Sequence, residues 1–378
     1  MTYTNTNNKT LHFLFIAAMM VLANCSNDSA QETGAEVFEL RDYDTILTNE
    51  DYYLAEPTVL TFDGESKLLV YDYALGHVTE FDLEGNKVNT IGREGQGPGE
   101  FYLLNNIYAH EDTLYFIDFG QVMIHKYSRG GEYYSSMDYG ALGYITSPAP
   151  PMNTGAVMAR NLSHQPHITL RGEVLLSPAL AKELPENMFH MVTWGGDESF
   201  GLGRIPDGST LELNPEENRA AISNNEIPPY DKANVFPVND VERPDELFLV
   251  YSAIPRIDKY DSDGELLWTV DIPDIPELDE YRERHSDLIE TLTPASWVSF
   301  NKYMAGVSSP EGELFLATNT NPELPGPLWI HRFDNEGDLI TRYNIKSEVN
   351  IPPVFDIDFE NNRFYVITEE AEIRAYSF

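Results

Sequence analysis

The sequence predicts an all-β fold, a six-bladed β-propeller closed by an N-terminal strand and carrying a short helical insertion. Three observations lead there. A strand–turn–strand unit recurs through most of the chain. Its last copy stops in mid-unit at Phe378. An alternating stretch from Val37 to Tyr43 stands near the other end, where it can supply the strand the last unit lacks. Closing the ring in this way also hides a sheet edge.

The unit consists of an apolar strand, a turn, a second strand ending in an aromatic residue, and a turn of the form acid-x-x-Gly. It runs from Leu68 to Asp72 and His77 to Gly85, and again from Leu114 to Asp118 and Ile124 to Gly130. It returns at Leu247–Tyr251 with Ile257–Gly264, at Leu314–Ala317 with Trp329–Gly337, and at Phe364–Ile367 with Ile373–Tyr376. A weaker copy spans Gly172 to Leu176. The first strand is apolar on both faces and so belongs between neighbours. The second alternates, which buries one face. The glycine supplies the positive φ that a tight hairpin turn needs. One hairpin cannot cover its own apolar face, whereas a ring of them can. Six anchors mark the blades: Leu69, Tyr115, Leu175, Phe248, Phe315 and Tyr365. Their spacing exceeds the roughly 40–45 residues of a common blade, so several blades carry insertions. Residues 177–245, rich in Pro, Asn and acid, are expected to form long loops with short strands. Residues 277–292 are expected to form a helix. Leu278, Tyr281, His285, Leu288 and Leu292 share one face, Pro276 stands at its start, and acids fill its first turn.

Residues 1–24 hold one lysine, no acid, and an apolar run from Leu11 to Ala23. The run falls short of the roughly 20 residues that span a bilayer and fits an export signal. It ends in Leu22-Ala23-Asn24-Cys25, which resembles the bacterial lipobox whose cysteine receives a lipid; Asn24 stands where that motif usually carries Gly or Ala. Cys25 is the only cysteine of the chain, so no internal disulfide exists. The expected organisation is a lipoprotein-type signal peptide over 1–24, a flexible tether over 25–36 and the propeller over 37–378. The expected address is the cell envelope, periplasmic or at the cell surface, with membrane contact through the lipid alone.

The charge is extreme: 62 acidic against 24 basic residues, a net −38. Such a surface repels nucleic acid and anionic membranes. Only nine of the basic residues are lysine. Abundant carboxylate with little lysine suits a halophilic setting, where the Debye length shrinks to roughly 3 Å at 1 M salt; the alternative is an acidic secreted protein of an ordinary environment.

The stretch Ile91-Gly92-Arg93-Glu94-Gly95-Gln96-Gly97-Pro98-Gly99-Glu100-Phe101, followed by the unit at 114–130, resembles the six-bladed propeller lipoproteins of Bacteroidetes-like bacteria, relatives of the NHL-repeat and TolB-like propellers. The resemblance extends over 37–378. It implies a fold and an envelope address, not one activity.

Candidate chemistry is sparse. The glycine-rich run 92–99 lacks the following helix and Lys-Ser/Thr pair of a phosphate loop, and reads as a turn between blades. Arg93 and Glu100 within it are candidates to face the central channel. Asp72 and Asp118 each end an apolar strand. They either bond local backbone amides or contribute to a ring of acids at the channel mouth, able to hold Ca²⁺. The candidate ligand-binding set is therefore Asp72, Arg93, Glu100 and Asp118. His164 and His167 flank Pro166, which argues against a helical metal face and leaves a loop site as the alternative; no metal ligand or cofactor is assigned beyond the Ca²⁺ alternative. His125 and His331 occupy equivalent repeat positions and are read as structural. No Gly-x-Ser-x-Gly elbow is present. The leading expectation is a binding or scaffolding module for a protein or small-molecule ligand. The alternative is a metal-dependent hydrolase, lactonase or lyase at the channel mouth, since propeller enzymes draw ligands from separate blades.

Overall fold

The computed structural model describes residues 34–48, 50, 54–142, 165–177, 186–210, 213–294, 296–321, 326–349 and 354–378. The expectations for the leader, Cys25 and His164 lie outside these residues. Two strands come first, β1 (Glu36–Leu40) and β2 (Asp44–Leu47). The first blade follows as β3 (Pro57–Phe62), β4 (Lys67–Asp72), β5 (His77–Asp82) and β6 (Lys87–Ile91). The second is β7 (Leu104–His110), β8 (Thr113–Asp118), β9 (Met123–Ser128) and β10 (Tyr133–Asp138). The third is β11 (His167–Ile168), β12 (Val174–Leu176), β13 (Asn187–Val192) and β14 (Glu198–Arg204). Helix α1 (Pro215–Ser223) precedes the fourth, β15 (Val235–Asn239), β16 (Glu246–Tyr251), β17 (Arg256–Asp261) and β18 (Leu266–Asp271). Helix α2 (Pro276–Thr291) precedes the fifth, β19 (Ala305–Ser308), β20 (Leu314–Asn319), β21 (Gly326–Phe333) and β22 (Leu339–Val349). The sixth holds β23 (Phe355–Asp358), β24 (Arg363–Ile367) and β25 (Ile373–Ser377). Each blade is an antiparallel meander, and the six sheets make a six-bladed propeller.

The six anchors fall on β4, β8, β12, β16, β20 and β24, each at most 4 % exposed. These are the second strands of their blades, not the innermost. The apolar residues on both of their faces pack into the seams between neighbouring blades. Tyr71 of blade one meets Phe116 of blade two, Tyr115 meets Val174, and Leu175 meets Leu249. Phe248 meets Leu316, Phe315 meets Phe364, and Tyr365 meets Val70, which completes the circle. The core is thus six seams rather than one centre, as radial repetition requires.

The acid-x-x-Gly turns have a direct cause. Asp82 accepts the amides of Glu84 (3.1 Å) and Asn86 (2.7 Å), and Gly85 sits at φ +85°. Asp261 and Asp334 hold their own turns in the same way. The glycine-rich run forms the link from β6 to β7. There the Phe101 amide donates to Arg93 O, and the Gly95 amide donates to Phe101 O. Phe101 is thereby driven into the seam between blades one and two, edge-on to Tyr71 and Phe116. Gly92 lies at φ +66° directly against the Phe101 ring, where a Cβ would clash.

Closure uses the N-terminal segment, with a different strand from the one expected. β2 pairs antiparallel with β25 as the fourth strand of blade six. The alternating stretch at 37–43 supplies β1 instead, which pairs parallel with β22 as a fifth, outer strand of blade five. Phe38 stacks on Tyr343 there, but as an outer edge strand β1 leaves Val37 and Phe38 exposed. Within 177–245, where long loops with short strands are expected, β13 and β14 form a hairpin with a register shift at Met191/Val192; the unexpected addition is α1, which Asn214 caps by accepting the amides of Glu216 and Glu217. Helix α2 matches its expected span and buries Leu278, Tyr281, His285 and Leu288, together with Ile289. Because every blade has the same strand order, the turns between strands one and two and between three and four share one rim. The links between blades, and with them α1 and α2, share the other.

Candidate functional site: the central channel

The edges of the innermost strands β3, β7, β11, β15, β19 and β23, with adjoining residues, enclose a central cavity of about 300 Å³. Side chains from these strands tie one blade to the next. The Phe62 amide donates to Asp356 Oδ2 (2.8 Å), joining blades one and six. Thr61 Oγ1 donates to Ile107 O (3.0 Å), joining one and two. Between blades two and three, Tyr108 OH and His167 Nδ1 lie 3.0 Å apart. His167 Nε2 lies 3.0 Å from Asn239 Oδ1, and Asn239 Nδ2 donates to Ile168 O (2.9 Å), joining three and four. Ser308 Oγ donates to Asn239 O (2.5 Å), joining four and five.

The proton on His167 follows from this chain of bonds. Asn239 spends its Nδ2 on a carbonyl, so its Oδ1 is an acceptor and His167 Nε2 carries the hydrogen. Nδ1 then accepts from Tyr108, whose oxygen in turn accepts from Asn106 Nδ2 (3.0 Å). A neutral imidazole is what burial dictates: it pulls His167 down to about 4 despite the bond to Asn239. Every polar atom of the ring is occupied by its neighbours, so His167 is a positioning group of the channel wall. Asp356 is different. Its two oxygens accept the amides of Phe62 and Ile357. Burial pushes it up to about 6 against those bonds.

The residues singled out from the sequence sit elsewhere. Asp72 and Asp118 end the second strands of blades one and two, one strand outward from the channel, and do not line the cavity. Asp72 accepts the amides of Ala55, Glu56 and Leu75. Asp118 accepts those of Tyr102, Leu103 and Gln121, with His125 Nε2 3.5 Å away. Each carboxylate staples a blade-to-blade link to a turn. Arg93 and Glu100 pair within their own link, Nε to Oε1 at 2.8 Å, while Glu100 Oε2 accepts the Gly97 amide. They also stay outside the cavity lining. Among the described residues, no three His, Cys, Asp or Glu side chains group so as to hold a metal ion. His125 and His331 are buried in their blades: His125 Nδ1 meets Ser136 Oγ (2.7 Å), and His331 bridges Tyr303 OH (2.8 Å) and Glu277 Oε1 (2.9 Å). Glu277 belongs to the first turn of α2. Burial opposes its ionisation, but His331 and Arg342 hold it below the usual carboxylate range, which locks the helix onto blade five.

A second cavity, about 190 Å³, lies between α1 and α2 and is lined by Ile222, Ile227, Arg282, His285 and Phe300 among others. Its imidazole is held on one side, His285 Nε2 donating to Val298 O (2.8 Å), while Nδ1 has no hydrogen-bond partner among the described residues. The residues that build the central wall were not found from sequence because they come one or two from each of six distant segments. The signal that could have found them is an Asn, Ser, Thr, His or Asp in the short strand ahead of each apolar anchor strand.

Comparisons with known proteins agree with this architecture. The DUF5128 family, described as a 6-bladed beta-propeller, matches residues 20–144. No curated protein matches the chain. Among solved structures, a Bacteroides fragilis protein described only as exported is similar at 14% identity, over 90% of this chain and 98% of its own, with a TM-score of 0.51. A virginiamycin B lyase from Staphylococcus aureus is 13% identical over 89% of this chain and 87% of its own, with a TM-score of 0.42. The calcium-binding protein regucalcin from Agrobacterium tumefaciens is 10% identical over 90% and 95%, with a TM-score of 0.44. For the Bacteroides fragilis protein the likeness is one of fold. Among the described residues, no helix is long and apolar enough to cross a membrane.

Proposed function

We propose that this protein is an exported, lipid-anchored β-propeller that binds a small ligand in its central cavity, one of the propeller lipoproteins its glycine-rich link resembles. The observation that carries the binding reading is the cavity itself. About 300 Å³ lies at the size where small-molecule sites begin, and its wall mixes Phe62, Phe236 and Phe355 with Asn106, Gln165 and Asp356. Apolar surface with a few convergent polar groups is what binds and orients a small molecule. The address rests on the apolar run Leu11–Ala23 and on Cys25 behind it. The net charge of −38 favours positively charged over negatively charged solutes at the channel and suits a salt-rich surrounding.

Two variants test the proposal. Full-length Cys25→Ala is expected to move from the membrane pellet to the soluble fraction; a protein that stays in the pellet has another anchor. Asn105 lines the cavity at a register shift of β7, so Asn105→Trp fills it with little cost to the ladder. Compounds that raise the melting temperature of the parent protein should lose that effect in Asn105→Trp. Undiminished shifts would place the binding site elsewhere.

A further inference from the structure

We propose that the central cavity takes a small organic cation bearing a primary ammonium group, with Asp356 as its counter-ion. The proposal rests on the central cavity being the binding site and names the chemistry of what enters it. Of the residues lining that cavity, Tyr108, His167 and Asp356 titrate, and none is Lys or Arg. Tyr108 and His167 face each other and neutralise nothing. Asp356 is therefore a half-buried carboxylate whose partners among the described residues are two backbone amides. A buried charge without an opposite charge is costly, and a carboxylate offers about four lone-pair sites, so two amides leave it able to accept more.

What remains unfilled in the wall is thus acceptor capacity and negative charge. An ammonium supplies three donors and the missing charge. The other wall residues favour an organic body rather than a bare ion. Apolar residues such as Phe62, Ala305 and Val307 line much of the rest of the wall. The cavity, about 300 Å³, is far larger than the ~30 Å³ share of one water molecule.

The test is titration calorimetry of the full-length protein in detergent with phenethylammonium chloride and with its neutral near-isostere 2-phenylethanol. The amine should bind about ten- to hundredfold more tightly, the range that a charged hydrogen bond supports. Asp356→Asn should remove that preference and leave the alcohol unaffected. Asn retains one acceptor for the neighbouring amides, and an unchanged melting temperature would show that the fold survives. Affinity for the amine should rise between about pH 5 and pH 7.5, as Asp356 gives up its proton near pH 6. Equal binding of amine and alcohol, or an Asp356→Asn variant that keeps the preference, would overturn the ammonium assignment while leaving the cavity reading intact. Stoichiometric Ca²⁺ binding lost in Asp356→Asn would overturn it in favour of a metal. Amine binding that survives Asn105→Trp would refute the cavity reading itself.

Discussion

Lys259→Met is expected to lower the unfolding free energy by about 3–5 kcal/mol, the usual result of removing one partner from a buried ion pair. Lys259 lies on β17 with no solvent exposure. Its Nζ stands 2.5 Å from Asp240 Oδ2 and 2.8 Å from Glu246 Oε2, and 4.8 Å from the centre of the Phe248 ring. Asp240 is equally buried. Methionine fills nearly the same volume, so packing changes little. The loss comes from leaving the buried Asp240 carboxylate without its cation beside Glu246, which keeps only its 3.4 Å contact with Arg243. Denaturant midpoints at constant slope check the size. A triple variant that also carries Asp240→Asn and Glu246→Gln should regain much of the loss. If the single variant costs under about 1 kcal/mol, the pair is solvated in solution and behaves as a surface bridge.

The second large effect concerns Phe101→Ala, for which a loss of about 3–5 kcal/mol is expected from a deleted buried ring. Phe101 is fully buried, with ring centroids 5.8 Å from Tyr71 and 5.7 Å from Phe116. It is the plug that the glycine-rich link carries into the first seam. The backbone on both sides is fixed by bonds from Gly95 and Phe101, so the site cannot collapse easily around the cavity. Equilibrium unfolding measures the loss. A small effect would mean that the link is held by Glu100 and the Asp118 staple rather than by its aromatic residue.

Much of the architecture was legible in the sequence, and the reason lies in the second strands. Leu68–Val70 and Phe248–Val250 are apolar on both faces because each strand is covered by two neighbouring blades, so hydrophobicity alone marks them. The aspartates at 82, 261 and 334 were legible as turns because each bonds amides two and four residues on. Closure was legible in kind but not in detail. β2 is short, only Leu47 is fully buried in it, and its alternation is weaker than that of β1, which the outer edge of blade five claims. Helix α1 was passed over because its surroundings are rich in Asn and Pro, although Asn214, Pro215 and the two acids that follow spell a helix start.

The candidate site was hardly legible. Asp72 and Asp118 drew attention as acids at strand ends, and both spend their oxygens on backbone amides. The channel wall is built from short strands of mixed polarity, where Thr61, Asn106, His167, Asn239, Ser308 and Asp356 carry no shared local motif. Their common role appears only when the ring closes and brings each blade's first strand to the axis.

Amide hydrogen exchange with and without a saturating compound from the melting screen tests the central claim most directly. Binding in the channel should slow exchange in residues 59–62, 105–109, 236–239 and 305–308, the inner strands that line it, and leave α1 and α2 unchanged. Protection confined to α1 and α2, or no protection of the inner strands by any compound, would contradict a ligand site at the centre of the propeller.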